Sequence, residues 1–345
     1  MFTLARQFFT AGILLAPLAL IAQARIETDA VDAANRYRDL LPVPEKKEKK
    51  SDDIPMLYEG ELEDSGPQLL LLEAPPHKWF QILCDMQWYA TSNVAMVEHN
   101  STFADVAVLT AQGAINAKPI NLFGGKLSPI LGFRYQNFLY GSVSGSNDLI
   151  KDSYVTVDSL NFETFTPYAQ LEWRSGPWMA GVGARFSAYL SQDTGKTTYQ
   201  EWAPSMHVGR SFMVGKSSQF TVDADFTWRL SHSFLPPGIS LPPGWFQTDN
   251  ADRYDIGLNI AYTMVLNDNW IIQPAYRFQF SDYTQASTSR QDYYNILSLT
   301  LGYYFNEYFS VRLFGSAEFR NSSDSAISDY QNYNGGIGLM GVLTF

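Results

Sequence analysis

Over residues 254–266 the chain alternates without a break, with Tyr254, Ile256, Leu258, Ile260, Tyr262, Met264 and Leu266 on one phase and Asp255, Gly257, Asn259, Ala261, Thr263 and Val265 on the other. A period of two sends successive side chains to opposite faces of a strand, so this segment has one apolar face and one face that tolerates water. The pattern recurs from residue 79 onward. It predicts twelve strands, at 80–90, 103–115, 129–140, 162–173, 178–190, 202–214, 219–230, 254–266, 270–281, 294–305, 309–319 and 333–345. Clusters of Gly, Asn, Asp and Ser mark their ends.

Connections between these strands alternate in length. Short turns at Gly124-Gly125, Ser175-Gly176, residues 215–218, residues 267–269 and Asn306-Glu307 interleave with longer polar loops such as 141–160 and 231–252. A closed up-and-down barrel with an even strand number gathers its short turns and both chain ends at one mouth and its long loops at the other. Aromatic residues crowd toward the strand ends. Trp79, Phe123, Trp173, Trp178, Phe212, Trp270, Tyr308 and Phe309 lie near the short turns, and Trp88, Tyr140, Tyr189, Tyr199, Trp202, Trp228, Tyr254, Tyr294 and Tyr333 lie near the long loops. Two such girdles suit two membrane interfaces, and the apolar phase between them faces hydrocarbon. Charged residues make up 17% of the chain, against about 25% in ordinary soluble domains. Outside the N-terminus no run approaches the ~20 apolar residues of a membrane-spanning helix. The fold expected is therefore all-β, an antiparallel up-and-down transmembrane β-barrel of about twelve strands.

The N-terminal segment differs. Arg6, an apolar run over 8–21 and Ala22-Gln23-Ala24 have the layout of a secretory signal peptide over 1–24, cleaved after Ala24. Residues 25–78 hold a short helical stripe (Ile26, Ala30, Ala33, Tyr37 and Leu40), then Pro42, Pro44 and a basic run at 46–50. They are read as a periplasmic tether that leaves room for a periplasmic partner, with the barrel domain at 79–345. With a net charge of -11 and the short run at 46–50 as its only basic cluster, the chain lacks the footprint of a nucleic-acid partner. Cys84, the one cysteine, lies on the apolar phase between Ile82 and Met86 and is read as a small hydrophobe.

The last strand, with Tyr333, Gly335, Ile337, Leu339, Gly341, Leu343 and the final Phe345, resembles the C-terminal signal of bacterial outer-membrane β-barrel proteins. That resemblance implies a bacterial outer-membrane location, contact with outer-membrane lipids, and recognition of Tyr333, Ile337, Leu339, Leu343 and Phe345 by the barrel-assembly machinery. It does not discriminate among porins, enzymes, adhesins and secretion domains, which share the signal.

With the apolar phase toward lipid, the opposite phase lines the lumen. It carries Asp85, Arg134, Glu172, Arg174, Arg185, Asp223, Asp225, Arg229, Asp255, Arg277, Arg312, Glu318 and Arg320. Such charges either pair with one another in a filled barrel or line a wet pore and select its solutes. Small inward residues, including Gly181, Gly183, Gly209, Gly257, Gly336 and Gly338, either leave room for passage or permit the sheet to curve and coil. The first functional expectation is thus a porin-like channel for small hydrophilic solutes, with Arg134, Glu172, Arg174, Arg185, Asp223, Asp225, Arg229, Asp255, Arg277, Arg312 and Glu318 setting selectivity. The alternative is a plugged structural or anchoring barrel of the envelope. A third reading, a lipid hydrolase at the rim, draws on the spacing of His99-Asn100-Ser101, where alternation puts a base and a nucleophile on one face. Solvated loop residues account for that motif more simply, and no enzyme activity is expected. No cofactor is expected, and no metal site, because none of the four His stands at ligand spacing from a second His or Cys.

Three further features stand out. Asp148, Asp152, Asp193, Asp249, Asp252, Asp282, Asp292, Asp324 and Asp329 are read as solvated loop acids in preference to sites for divalent cations that bridge to anionic surface lipids. The stiff loop over 233–246 carries Pro236-Pro237-Gly238, Pro242-Pro243-Gly244 and then Trp245-Phe246. Arg210 shares the apolar phase of Met206 and Val208; either its guanidinium snorkels to the lipid headgroups or a β-bulge turns it away from lipid, and the bulge is the expected explanation.

Overall fold

A computed structural model describes residues 77–345 except 95, 97, 99, 100, 102, 145–160, 193, 216, 235–250, 287, 288, 326 and 328, and except the side chains of 142–144. Residues 1–76, expected to hold the signal peptide and most of the tether, and the proline-rich stretch over 235–250 lie outside the described residues.

Among the described residues, thirteen strands form a single sheet. They are β1 (Phe80–Thr91), β2 (Phe103–Asn116), β3 (Ile120–Leu122), β4 (Gly125–Ser144), β5 (Phe162–Ser175), β6 (Trp178–Ser191), β7 (Thr197–Met213), β8 (Ser218–Ser233), β9 (Arg253–Val265), β10 (Trp270–Tyr283), β11 (Arg290–Tyr304), β12 (Phe309–Ser322) and β13 (Tyr330–Thr344). All pairings are antiparallel between neighbours. The sheet closes twice over the ends of the chain order, through β1 with β13 (Met86 opposite Leu339) and β2 with β4 (Gln112 opposite Arg134). The result is a twelve-stranded barrel with β3 as a short spur on β4. Closure leaves none of the twelve barrel strands with an open edge, which an all-β chain in hydrocarbon requires.

Burial is inverted relative to a soluble protein. Outward Met86, Trp88, Leu131, Val182, Trp202, Met206, Leu297, Leu313 and Leu343 are all about half exposed or more, whereas Asp223, Asp255, Asn259, Gln279 and Ser281 are buried. A sandwich would hide the first set between its layers. Leu258 lies on the outer surface in the same way.

The short mouth is made by tight turns. Phe123 and Gly124 both take positive φ (47° and 72°), a two-residue hairpin one position ahead of the expected Gly124-Gly125 turn. Gly176 (φ 54°) opens the turn into Pro177. His77 and Lys78, assigned to the tether by sequence, clasp the barrel rim: His77 Nε2 donates to Asn116 O at 2.8 Å and Lys78 Nζ to Thr344 Oγ1 at 3.1 Å.

Several strands run past their sequence-predicted starts or ends at the long-loop mouth. β7 begins at Thr197 instead of 202, β11 at Arg290 instead of 294, and β4 continues to Ser144. Some aromatics assigned to the outer girdle turn inward there. Tyr140, Tyr189, Tyr199 and Tyr294 are buried in the lumen, while Trp88, Trp202, Trp228 and Tyr333 do lie on the outer surface.

Candidate lumenal site

The side chains that meet inside the external mouth come from strands whose inward phase there is polar on one wall and apolar on the other. On the polar wall, β7 contributes Tyr199 and Glu201, β8 Arg229, β9 Arg253 and Asp255, and β10 Arg277, Gln279 and Ser281, each two residues from the next on its strand. Arg229 Nη1 donates to Glu201 Oε1 at 2.7 Å and its Nε donates to Asp255. Asp255 Oδ1 also accepts from Arg253 Nε at 2.8 Å and from Ser281 Oγ at 2.6 Å. Tyr199 OH donates to Glu201 Oε2 at 3.0 Å. The network descends along β10: Gln279 Nε2 donates to Ser281 Oγ (3.1 Å), and Arg277 donates to Gln279 Oε1 (3.0 Å), to Asp225 Oδ1 (2.9 Å) and to Asn259 Oδ1 (2.7 Å). Asn259 Nδ2 in turn reaches Asp225 and Asp223.

Two smaller groups continue the polar wall around the barrel. Asp292 accepts from Arg290, from Tyr294 OH at 3.2 Å and from Ser322 Oγ at 2.7 Å. Tyr330 OH donates to Glu318, and the Arg320 guanidinium lies 4.4 Å from the Tyr330 ring centre. Tyr283 takes the Arg290 guanidinium at 3.9 Å and that of Arg253 at 5.4 Å. Lower down, Arg312 Nη2 donates to Asp85 Oδ2 at 2.8 Å.

The facing wall is a cluster of Tyr89, Val94, Ala104, Val106, Val108, Phe138, Tyr140, Phe162 and Tyr189, which Tyr199 joins from the edge of the polar wall. Phe138 and Phe162 stack with centroids 4.5 Å apart. Val94 belongs to the loop after β1, so part of that loop is folded into the barrel. A seam ties it down: Asn332 Oδ1 on β13 accepts from Thr91 Oγ1 (2.9 Å), Ser92 Oγ (3.3 Å) and the Asn93 N–H (3.0 Å). Both walls are closed to water: Tyr199, Asp292 and Asn332 are 0% exposed and Arg229 2%.

All eleven residues named from sequence as selectivity candidates lie on the inward phase. The structure brings Asp223, Asp225, Arg229, Asp255 and Arg277 into one network. It separates the others: Glu318 joins Tyr330, Arg312 joins Asp85, Glu172 stands 3.3 Å from His207, and Arg134 Nε donates to Gln112 Oε1 at 2.9 Å. Arg185 is half-buried and Arg174 is exposed near the short turn. His99 and Asn100 of the His-x-Ser motif lie outside the described residues, and Ser101 is exposed.

Two corrections follow. The space beside the inward glycines is taken up by side chains of neighbouring strands: Asp225 on Gly257, His207 and Glu172 on Gly181, Tyr89 on Gly336 and Arg312 on Gly338. A Cβ at Gly257 would collide with the Asp225 carboxylate. Asp282 and Asp292 are no loop acids but strand residues, in β10 and β11, and Asp292 is buried. Glu201, Arg253 and Arg290 escaped the sequence reading, which also places Asp292 in a loop. Following the inward phase outward past the lipid band, through Arg253-x-Asp255 or Asp292-x-Tyr294, is the signal that finds them.

In comparison with known proteins, the family of unknown function DUF6850 matches residues 109–305, more than half of the chain. No curated protein matches in sequence. Among solved structures, an outer membrane channel from Pseudomonas putida F1 is similar at 9% identity and a TM-score of 0.49, covering 78% of this chain and 97% of that one. The β domain of the Bordetella autotransporter BrkA is similar at 12% identity and a TM-score of 0.42, covering 76% and 99%. The transport unit of the Escherichia coli autotransporter AIDA-I stands at 7% identity and a TM-score of 0.43, covering 78% and 92%.

Proposed function

Because this chain belongs to the family of unknown function DUF6850, whose description assigns no activity, we propose a role from the barrel itself: a bacterial outer-membrane barrel held shut at rest near its external mouth by its own side chains. One observation carries this reading. The carboxylates and guanidiniums of Glu201, Arg229 and Asp255 are buried and mutually paired instead of standing in water. Charges that select solutes in an open pore keep their hydration; charges paired out of water act as a structural plug. The aromatic wall opposite supports the same reading, since Tyr89, Phe138 and Phe162 gain from contact with one another and from exclusion of water.

The test is reconstitution of the full chain into planar bilayers. The wild type is expected to show no steady conductance, and Glu201→Gln with Arg229→Gln, which removes the central pair together, to show openings. A steady ohmic conductance from the wild type would overturn the reading. That outcome would favour the second one, a porin-like channel for small hydrophilic solutes. It has its own supporting observation: toward the other mouth, inward Lys126, Arg174 and Ser205 are exposed.

A further inference from the structure

Arg210 on β7 is the cation that its own strand pattern forbids. The expected bulge does not occur there: Arg210 pairs in unbroken register with Trp178 on one side and Val222 on the other. Its side chain therefore points out of the barrel, on the same phase as Val208 and Phe212, both of which are exposed. Every other Lys or Arg in the described strands lies on the inward phase. The guanidinium sits 4.9 Å from the Trp178 ring centre and 4.8 Å from that of Phe212. No carboxylate pairs with it among the described residues.

Depth decides what such a group is for. Trp178 is the first residue of β6, and Arg210 lies three residues from Met213, the end of β7, so both are beside the short-turn mouth. A lipid-facing Arg costs about 2–4 kcal/mol at the bilayer midplane but about 0–1 at the interface. Two rings hold the planar guanidinium in place through cation–π contact, and because Arg210 is exposed its N–H groups remain accessible to the surroundings. Those surroundings are lipid, and the anionic group of lipid at that depth is the phosphodiester of a headgroup, which the fork matches with two parallel hydrogen bonds.

We propose that Arg210, Trp178 and Phe212 form a binding site for the phosphodiester of a glycerophospholipid in the leaflet at the short-turn mouth. The experiment uses the detergent-purified full chain, titrated with dioleoyl phosphatidylglycerol and read by native mass spectrometry, with glycerol phosphate as a second ligand. Arg210→Leu, which suits the apolar face and keeps the heat-modifiable mobility of a folded barrel, is expected to bind phosphatidylglycerol about five-fold more weakly, the effect of one interfacial cation. Arg210→Lys, which keeps the charge but loses the fork, is expected to fall between. Equal binding by wild type and both variants overturns the site. Glycerol phosphate binding as tightly as the lipid overturns its assignment to lipid. Neither outcome bears on conductance, so this site and the shut lumen fail separately.

Discussion

At the external end of the lumen, the wall formed by β1, β2, β4, β5 and β6 presents Tyr89, Val106, Phe138, Phe162 and Tyr189, while the wall formed by β7 to β12 presents Glu201, Arg229, Asp255, Ser281 and Asp292. Both are dry, and they are dry for different reasons. The apolar wall gains free energy by leaving water, each residue contributing in proportion to the area it hides. The polar wall loses hydration on burial and recovers it only through a complete set of partners. The first should therefore fail gradually when side chains are trimmed, and the second sharply when one charge is taken from a pair.

The largest effect is expected from Arg229→Ala, which leaves Glu201 and Asp255 facing each other across the lost cation. Breaking a buried pair in this way costs about 4 kcal/mol, measurable as a lowered midpoint in denaturant unfolding of the barrel from vesicles. Removing Glu201 and Arg229 together, as Glu201→Gln with Arg229→Met, should cost clearly less than Arg229→Ala alone. If the double variant is as unstable as the single one, the charge-pairing account of that wall is wrong.

On the apolar wall Phe162→Ala removes the ring stacked on Phe138 and should cost about 3 kcal/mol. Phe162→Leu, which keeps most of the volume, should recover over half of that. A wall of fixed ring geometry would treat the two replacements alike, and a wall of area burial would not, so the ratio of the two shifts measures which description holds.

The smallest effect is expected at the seam that joins the walls. Asn332→Ala removes the acceptor shared by Thr91, Ser92 and Asn93 and should cost about 1–2 kcal/mol. Its more telling readout is hydrogen exchange, where the Asn93 amide should lose protection while amides in the middle of β10 keep theirs. Loss of protection on both walls at once would mean that they open as one unit.

How much of this was legible in the chain depends on what lies outside each strand. Along β9 the apolar set from Ile256 to Met264 faces lipid and writes a clean period of two, so the strand, its phase and the inward position of Asp255 were readable from sequence. Along the first turns of β7 and β11 the outward neighbours are polar, as in Thr198 and Gln200, and Gln291. There the alternation fades and the strand looks like loop. That is why Glu201 and Asp292 were missed, although they are among the most buried charges in the molecule. Arg210 shows the converse: its outward phase was legible, and the departure from the pattern tempted a bulge where the register is regular.

Sequence alone determined the barrel, its twelve strands, which phase meets lipid and which mouth carries the short turns, because the bilayer imposes a one-dimensional rule on every strand it touches. Only the tertiary structure decided whether the lumenal charges stand free or pair, and that inward glycines are seats for neighbouring side chains rather than open space. Those outcomes depend on which residues from strands far apart in the chain reach the same level of the cylinder. Register sets that level, and no local pattern encodes it.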